Sequence, residues 1–186
     1  MTTPPATPHP DLHKIKTLFD EGTIARRVND LAAELASAGF EQLMVVPILK
    51  GSFVFAADLL RALHRQGVTP EVEFLHLSSY GKNLTSSGTI AVLRDLDGDV
   101  DGRDILLIDD ILESGRTLAF ARKLLLDRGA RRVEIAALLD KPGKRKADID
   151  ADYIGFACPD KFVIGYGMDA RHAWRELPFI GYLDET

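Results

Sequence analysis

Ile24, Val28, Leu31 and Leu35 recur at three- and four-residue spacing between Thr23 and Gly39, a pattern that predicts an amphipathic helix closed by a glycine. Residues 43–49 then run apolar without alternation, as a strand buried on both faces does, and stop at Lys50-Gly51-Ser52. Residues 53–63 return to helical spacing, so the stretch opens a β-α-β unit in which a helix precedes the first strand. Residues 71–77 and 89–93 alternate polar and apolar, the period of half-exposed strands. Between them, Ser-Ser-Tyr-Gly-Lys-Asn-Leu-Thr-Ser-Ser-Gly has the composition of a mobile connection. Residues 105–108 are apolar throughout, and this buried strand is expected to end at Asp109 and Asp110. A helix follows from Leu118, with Ala121, Leu124 and Leu125 on its apolar face and Gly129 at its end, and then a buried strand over 133–139. Strand, helix and strand in succession imply right-handed parallel crossovers, hence an α/β domain with a mainly parallel sheet flanked by helices. Residues 152–183 hold short apolar runs broken by Gly and Pro, with no helix-length pattern, and suit a small subdomain built from the terminal segments.

Composition narrows the class. With 186 residues, 46% of them hydrophobic, the chain suits one globular domain. Residues 1–11 carry four prolines and little that could enter a core, which predicts a flexible tail ahead of a single domain over 12–186. A net charge of -5 with both signs interspersed offers no basic field for nucleic acid or an anionic membrane, so neither is expected as a partner. The single cysteine, Cys158, excludes an intrachain disulfide framework and reads as a packed residue. With no signal-like or membrane-length apolar segment, a cytoplasmic protein is expected.

The candidate chemistry concentrates in residues 105–118. Asp109 and Asp110 are too costly to bury unless something cationic or hydroxyl-rich meets them. Glu113, Ser114, Gly115, Arg116 and Thr117 follow, just ahead of a helix whose free amides and dipole favour phosphate. The acids would repel a bare phosphate, whereas a phosphorylated sugar carrying Mg2+ satisfies both halves. The bland alternatives are a solvated strand edge and a Ser/Thr helix cap without a ligand. Rival chemistries lack support: there is no G-x-G-x-x-G or P-loop, no G-x-S-x-G elbow, and none of His9, His13, His64, His76 and His172 has zinc-ligand spacing.

Residues 105–118 resemble the phosphoribosyl pyrophosphate signature of the type I phosphoribosyltransferases. Ile48-Leu49-Lys50-Gly51-Ser52, Ser79-Tyr80-Gly81, Leu138-Leu139-Asp140-Lys141-Pro142 and the run from Pro159 to Asp169 are similar, in the same order, to the hypoxanthine (guanine) phosphoribosyltransferase branch. The resemblance implies the type I phosphoribosyltransferase fold with its small hood subdomain, and a purine salvage enzyme that joins phosphoribosyl pyrophosphate to hypoxanthine, with guanine and xanthine as further candidates. It implies that Asp109 and Asp110 hold the ribose hydroxyls directly or through Mg2+, and that Ser114, Gly115, Arg116 and Thr117 cradle the 5-phosphate. Lys50, Gly51, Ser52 and Arg175 would bind pyrophosphate, with a cis peptide between Leu49 and Lys50. Lys141 would donate to the 6-oxo oxygen, Phe162 would stack on the purine, and the Val163 backbone would meet its edge. Asp169 would bind a second Mg2+, Lys161 would support the site structurally, and Ser79 and Tyr80 would belong to a lid. Relatives are dimers or tetramers, so a homo-oligomer is expected.

Glu113 falls where the family keeps its catalytic carboxylate, but relatives usually carry aspartate there. The extra methylene moves the carboxylate by about 1.5 Å on a fixed backbone, and misplacements near 1 Å can cost on the order of a hundredfold in rate. Two other readings stand beside the enzyme: a non-catalytic phosphoribosyl pyrophosphate-binding regulator of the same fold, and a magnesium-dependent phosphohydrolase built on Asp109 and Asp110.

Overall fold

The apolar run after residue 43 becomes the centre of a parallel sheet. In the computed structural model, which describes residues 15–79 and 90–183, strand β2 (Met44–Leu49) pairs in parallel with β6 (Asp104–Leu112), Met44 opposite Ile105 and Pro47 opposite Ile108. Strand β7 (Arg132–Asp140) continues the parallel ladder beyond β6, and β8 (Tyr153–Ala157) beyond β7. On the other flank lies β4 (Leu75–Ser79), parallel to β2, with β5 (Ile90–Arg94) antiparallel at the edge. The order is β5-β4-β2-β6-β7-β8. The tail expected over 1–11 lies outside the described residues.

Burial on both faces explains the unbroken apolar runs. Leu106 and Ile108 of β6 pack with Leu31 and Leu35 of α1 (Glu21–Ala36) and Leu59 and Leu63 of α2 (Phe53–Arg65). Their neighbours Ile105 and Leu107 point the other way, to Leu118, Ala121 and Leu125 of α3 (Arg116–Asp127). Each fully buried side chain of this size contributes about 1.5–3 kcal/mol, so an acid at any of these strand positions would break the layer. Cys158 is buried as expected, and burial pushes its thiol pKa up.

Four expectations need correction. Helix α1 starts at Glu21 rather than near Thr23, because Asp20 caps it by accepting the Thr23 amide at 2.8 Å. The strand expected over 71–77 is two strands, β3 (Glu71–Val72) and β4. They pair with Met44 and Val45, then with Ile48 and Leu49, and skip Val46 and Pro47, the latter having no N–H to give. A strand does precede the first helix: β1 (Ile15–Phe19) pairs antiparallel with β10 (Ile180–Leu183), which pairs with β9 (Val163–Ile164) in a separate three-stranded sheet. Finally, β6 does not stop at Asp109. Its ladder with β7 continues through Asp109 opposite Ala137 to Leu112 opposite Asp140, so the acids lie within the strand.

Candidate active site

The carboxyl ends of β2, β6 and β7 converge, as expected for ligand sites of open parallel sheets. After β6, Glu113 and Ser114 lead to Gly115, whose φ of 75° turns the chain into α3. That left-handed conformation is open to glycine and strained for other residues. The N-cap Gly115 has no side chain to cap the first turn of α3; the Arg116 amide donates to Ser114 Oγ at 3.4 Å, and the amides that follow it are the ones open to an anion. A cavity of about 160 Å³ opens here, bounded by Asp109, Glu113, Ser114, Gly115 and Thr117.

A second cavity, of about 190 Å³, lies beside it and is bounded by Asp110, Lys141, Phe162, Val163, Met168 and Asp169. Ile111 and Glu113 line both, so they form the wall between them. Phe162 is 64% exposed, which excludes a core role for its ring. Val163 is held by β9 opposite Tyr182. Lys141 is 6% exposed at the end of β7, and its ammonium is held by Glu113 Oε1 at 2.8 Å and the Lys161 carbonyl at 3.1 Å. Lys161 lines this cavity as well, and its ammonium sits 5.2 Å above the Tyr182 ring.

The third wall comes from β2. The Leu49–Lys50 peptide is cis. Gly51 lies so close to Asp110 that a Cβ there would overlap the carboxylate, and a Cβ on Gly167 would overlap the Gly51 carbonyl. Two glycines thus let the loop after β2, the acids of β6 and the segment after β9 meet. Ser52 is fully buried and its hydroxyl donates to the Ile48 carbonyl at 2.6 Å, so its side chain serves the loop rather than facing a ligand. Asp169 and Arg175 pair at 2.5 Å, while Arg175 also donates to the Gly167 carbonyl and Asp169 accepts the His172 amide.

Burial raises the pKa of Asp109 well above the usual carboxylate range, and the neighbouring Asp110 charge adds to the shift. Asp110 is also raised by burial, partly offset by hydrogen bonds from Asp109 and its own backbone and by Arg175. Such a pair calls for a counter-cation. Among the described residues no group of three or more His, Cys, Asp or Glu side chains could hold a metal by itself. This donor set suits Mg2+, which commonly takes one or two carboxylates and completes its shell from substrate phosphates and water. Ser79 ends β4, whereas Tyr80 and residues 81–89 lie outside the described residues.

The structure also brings in residues that carried no signal in the sequence. Arg145, one of a run of three basic residues that reads as solvated charge, donates to the Leu112 and Glu113 carbonyls at 3.1 and 3.3 Å and to the Asp140 carboxylate. The Lys146 and Ala147 amides donate to the Ser114 carbonyl at 2.9 and 3.1 Å. The turn that carries Glu113 is therefore clamped from outside.

The sequence model of the family described as "Phosphoribosyl transferase domain" matches residues 14–171. The chain belongs to the phosphoribosyltransferase family. Within it, the chain is 44% identical over 169 residues to the hypoxanthine-guanine phosphoribosyltransferase of Bacillus subtilis, covering 90% of this chain and 92% of that one. A hypoxanthine phosphoribosyltransferase structure from Staphylococcus aureus superposes with a TM-score of 0.86 at 39% identity, covering 92% and 93% of the two chains. A mutant hypoxanthine phosphoribosyltransferase from Trypanosoma cruzi, in a ternary substrates complex, gives a TM-score of 0.85 at 36% identity, covering 91% and 95%. The match places this phosphoribosyltransferase in the hypoxanthine (guanine) branch, and its mixed α/β sheet with helices is the type I phosphoribosyltransferase fold.

Proposed function

We propose that this phosphoribosyltransferase is a purine salvage enzyme that transfers the 5-phosphoribosyl group from phosphoribosyl pyrophosphate to hypoxanthine, with guanine and xanthine as further candidate bases. One observation carries the reading: a helix-terminus anion cradle and a cavity with a buried lysine and an exposed aromatic ring share a wall made of Ile111 and Glu113. With the 5-phosphate in the first cavity, this shared wall sets the sugar beside the cavity proposed for the base.

Purine N9 attacks C1 as the bond from C1 to the pyrophosphate oxygen breaks, with that electron pair leaving on pyrophosphate. Lys50, Arg175 and loop amides face the departing charge. Glu113 accepts the proton released from purine N7. Lys141 donates to the 6-oxo oxygen, which an adenine cannot offer; a buried ammonium facing an exocyclic amine has no partner. Mg2+ on the phosphoribosyl pyrophosphate would supply charge neutralisation, with Asp109, Asp110 and Asp169 as its protein carboxylates. Phe162 stacks on the base, and Ser79 and Tyr80 belong to a lid that excludes water from the cation-like sugar.

The same reading includes a homodimer or homotetramer; Phe53, 44% exposed, lines a hollow of about 620 Å³ walled by α1, α2 and the segment from Tyr166 to Pro178, and is apolar surface that a second copy could cover. It includes a cytoplasmic location, which suits a lone buried free cysteine; none of the helices among the described residues is long and apolar enough to cross a membrane. The test is nucleotide formation by the purified protein from phosphoribosyl pyrophosphate, Mg2+ and each of hypoxanthine, guanine, xanthine and adenine. Turnover with a 6-oxopurine is expected. Adenine as the best substrate, no turnover with any base, or phosphomonoester hydrolysis without a purine would overturn the reading.

A further inference from the structure

The pair made by Glu113 and Lys141 is half of a larger arrangement. Lys144 Nζ lies 2.9 Å from Asp160 Oδ1 and 3.8 Å from Glu113 Oε1. Lys141 Nζ lies 3.5 Å from the same Asp160 oxygen. Two carboxylates and two ammonium groups thus alternate around a closed ring. Its members come from the turn after β6, the 3-10 turn Pro142–Lys144 after β7, and the loop that leads to Phe162 and Val163. The ring therefore ties together three of the segments that surround the base cavity.

The exposures within the ring are unequal. The Lys141 side chain is 8% exposed, whereas those of Lys144 and Asp160 are 54% and 62% exposed. An ammonium has three donors. Lys141 spends one on Glu113 and one on the Lys161 carbonyl. The third has only Asp160, at a separation long for a hydrogen bond. An incoming 6-oxo oxygen must therefore compete with Asp160 for that donor. Asp160 already has a nearer cation in Lys144, which is the main cause of the lowered pKa of its carboxyl group. If Lys144 were absent, Asp160 would keep only Lys141 and draw it away from the base.

Resting on the proposed 6-oxopurine activity, we propose that Lys144 is a positioning residue for base recognition: it occupies Asp160 so that the third donor of Lys141 stays free for the 6-oxo oxygen. Lys144 touches no substrate in this role. It also stands 3.8 Å from Glu113 Oε1, where its charge supports the carboxylate.

The test is a double-mutant cycle on the full chain, comparing wild type, Lys144→Met, Asp160→Asn and the double variant, with Lys144→Arg as the conservative control. Exposed ion pairs are worth about 0.2–1 kcal/mol, so Lys144→Met should raise the KM for hypoxanthine by up to about fivefold. The KM for phosphoribosyl pyrophosphate should not move, the Tm should fall by no more than about 4 °C, and Lys144→Arg should retain the wild-type KM. The decisive result is the double variant: with Asp160 neutralised there is no competitor, so the KM for hypoxanthine should return toward wild type. Additive losses, an unchanged KM in Lys144→Met, or equal rises in both KM values would overturn the proposal. A wild-type protein active on 6-oxopurines with a flat cycle refutes the role of Lys144 alone, whereas a wild type inactive on every 6-oxopurine refutes the activity and this role with it.

Discussion

Glu113 Oε1 accepts a hydrogen bond from Lys141 Nζ at 2.8 Å, so the proposed general base and the proposed reader of the 6-oxo group hold each other in place. The longer side chain at 113 is what closes this gap: an aspartate on the same backbone would stop about 1.5 Å short. In the proposed reaction the pair would hold both groups ready for adjacent edges of one base, O6 and N7.

Replacing the carboxylate separates its two tasks. Glu113→Gln keeps an amide oxygen for Lys141 but cannot accept the purine proton, and should lower kcat/KM for hypoxanthine by at least about tenfold. Glu113→Asp keeps the charge and loses the reach. An unaffected rate in Glu113→Gln, measured by steady-state nucleotide formation, would remove this residue from the chemistry.

Gly51→Ala should be severe for a residue without a functional group. Its Cβ would overlap the Asp110 carboxylate, and backbone and acid cannot both keep their places. With displacements near 1 Å at the reacting centre, a loss on the order of a hundredfold in kcat/KM is expected. Far-UV circular dichroism should remain native, since the clash meets a carboxylate near the end of β6 and leaves the apolar layers on both faces of the sheet untouched.

Magnesium should bind with the phosphorylated substrate and weakly without it. With no cluster of three ligating side chains among the described residues, Mg2+ alone should move the Tm little. Mg2+ with phosphoribosyl pyrophosphate should raise it by several degrees, as ligation to the folded state requires. Chelation by EDTA should abolish turnover. A large Tm shift from Mg2+ alone in differential scanning fluorimetry would contradict this donor set.

Alkaline stability should be lost early. Burial, followed by hydrogen bonding to Glu134, pushes the Tyr153 phenol up to about 12, and burial with the Asp58 bond raises Tyr166 further still. Both are held neutral in the folded chain but ionise near 10 when unfolded. Their contribution is fully present below pH 10 and falls as pH rises through 10 toward 12. Urea midpoints measured from pH 9 to 11.5 should therefore decline, and Tyr166→Phe should flatten the decline.

Much of the site was legible because its parts are contiguous. Asp109, Asp110 and the turn from Glu113 to Thr117 occupy one short stretch, and a helix start that offers amides to phosphate has a local pattern. The roles of Lys144, Arg145 and Asp160 were not legible, because charges in a polar stretch look alike in sequence whether they bind water or one another. Their roles come from partners such as Glu113 and the Leu112 carbonyl, which local spacing does not reveal.

The sequence by itself determined the alternation of buried strands and helices, and with it the parallel sheet, because apolar period is a property of neighbours along the chain. It also determined which residues carry charge and hydroxyls at the carboxyl ends of those strands. Only the tertiary structure decided that β1 pairs with β10, that the β6 ladder runs on through its acids, that Gly51 lies against Asp110, and that Glu113 meets Lys141. Each of these depends on a contact between distant segments, whose energy exists only once the layers have packed.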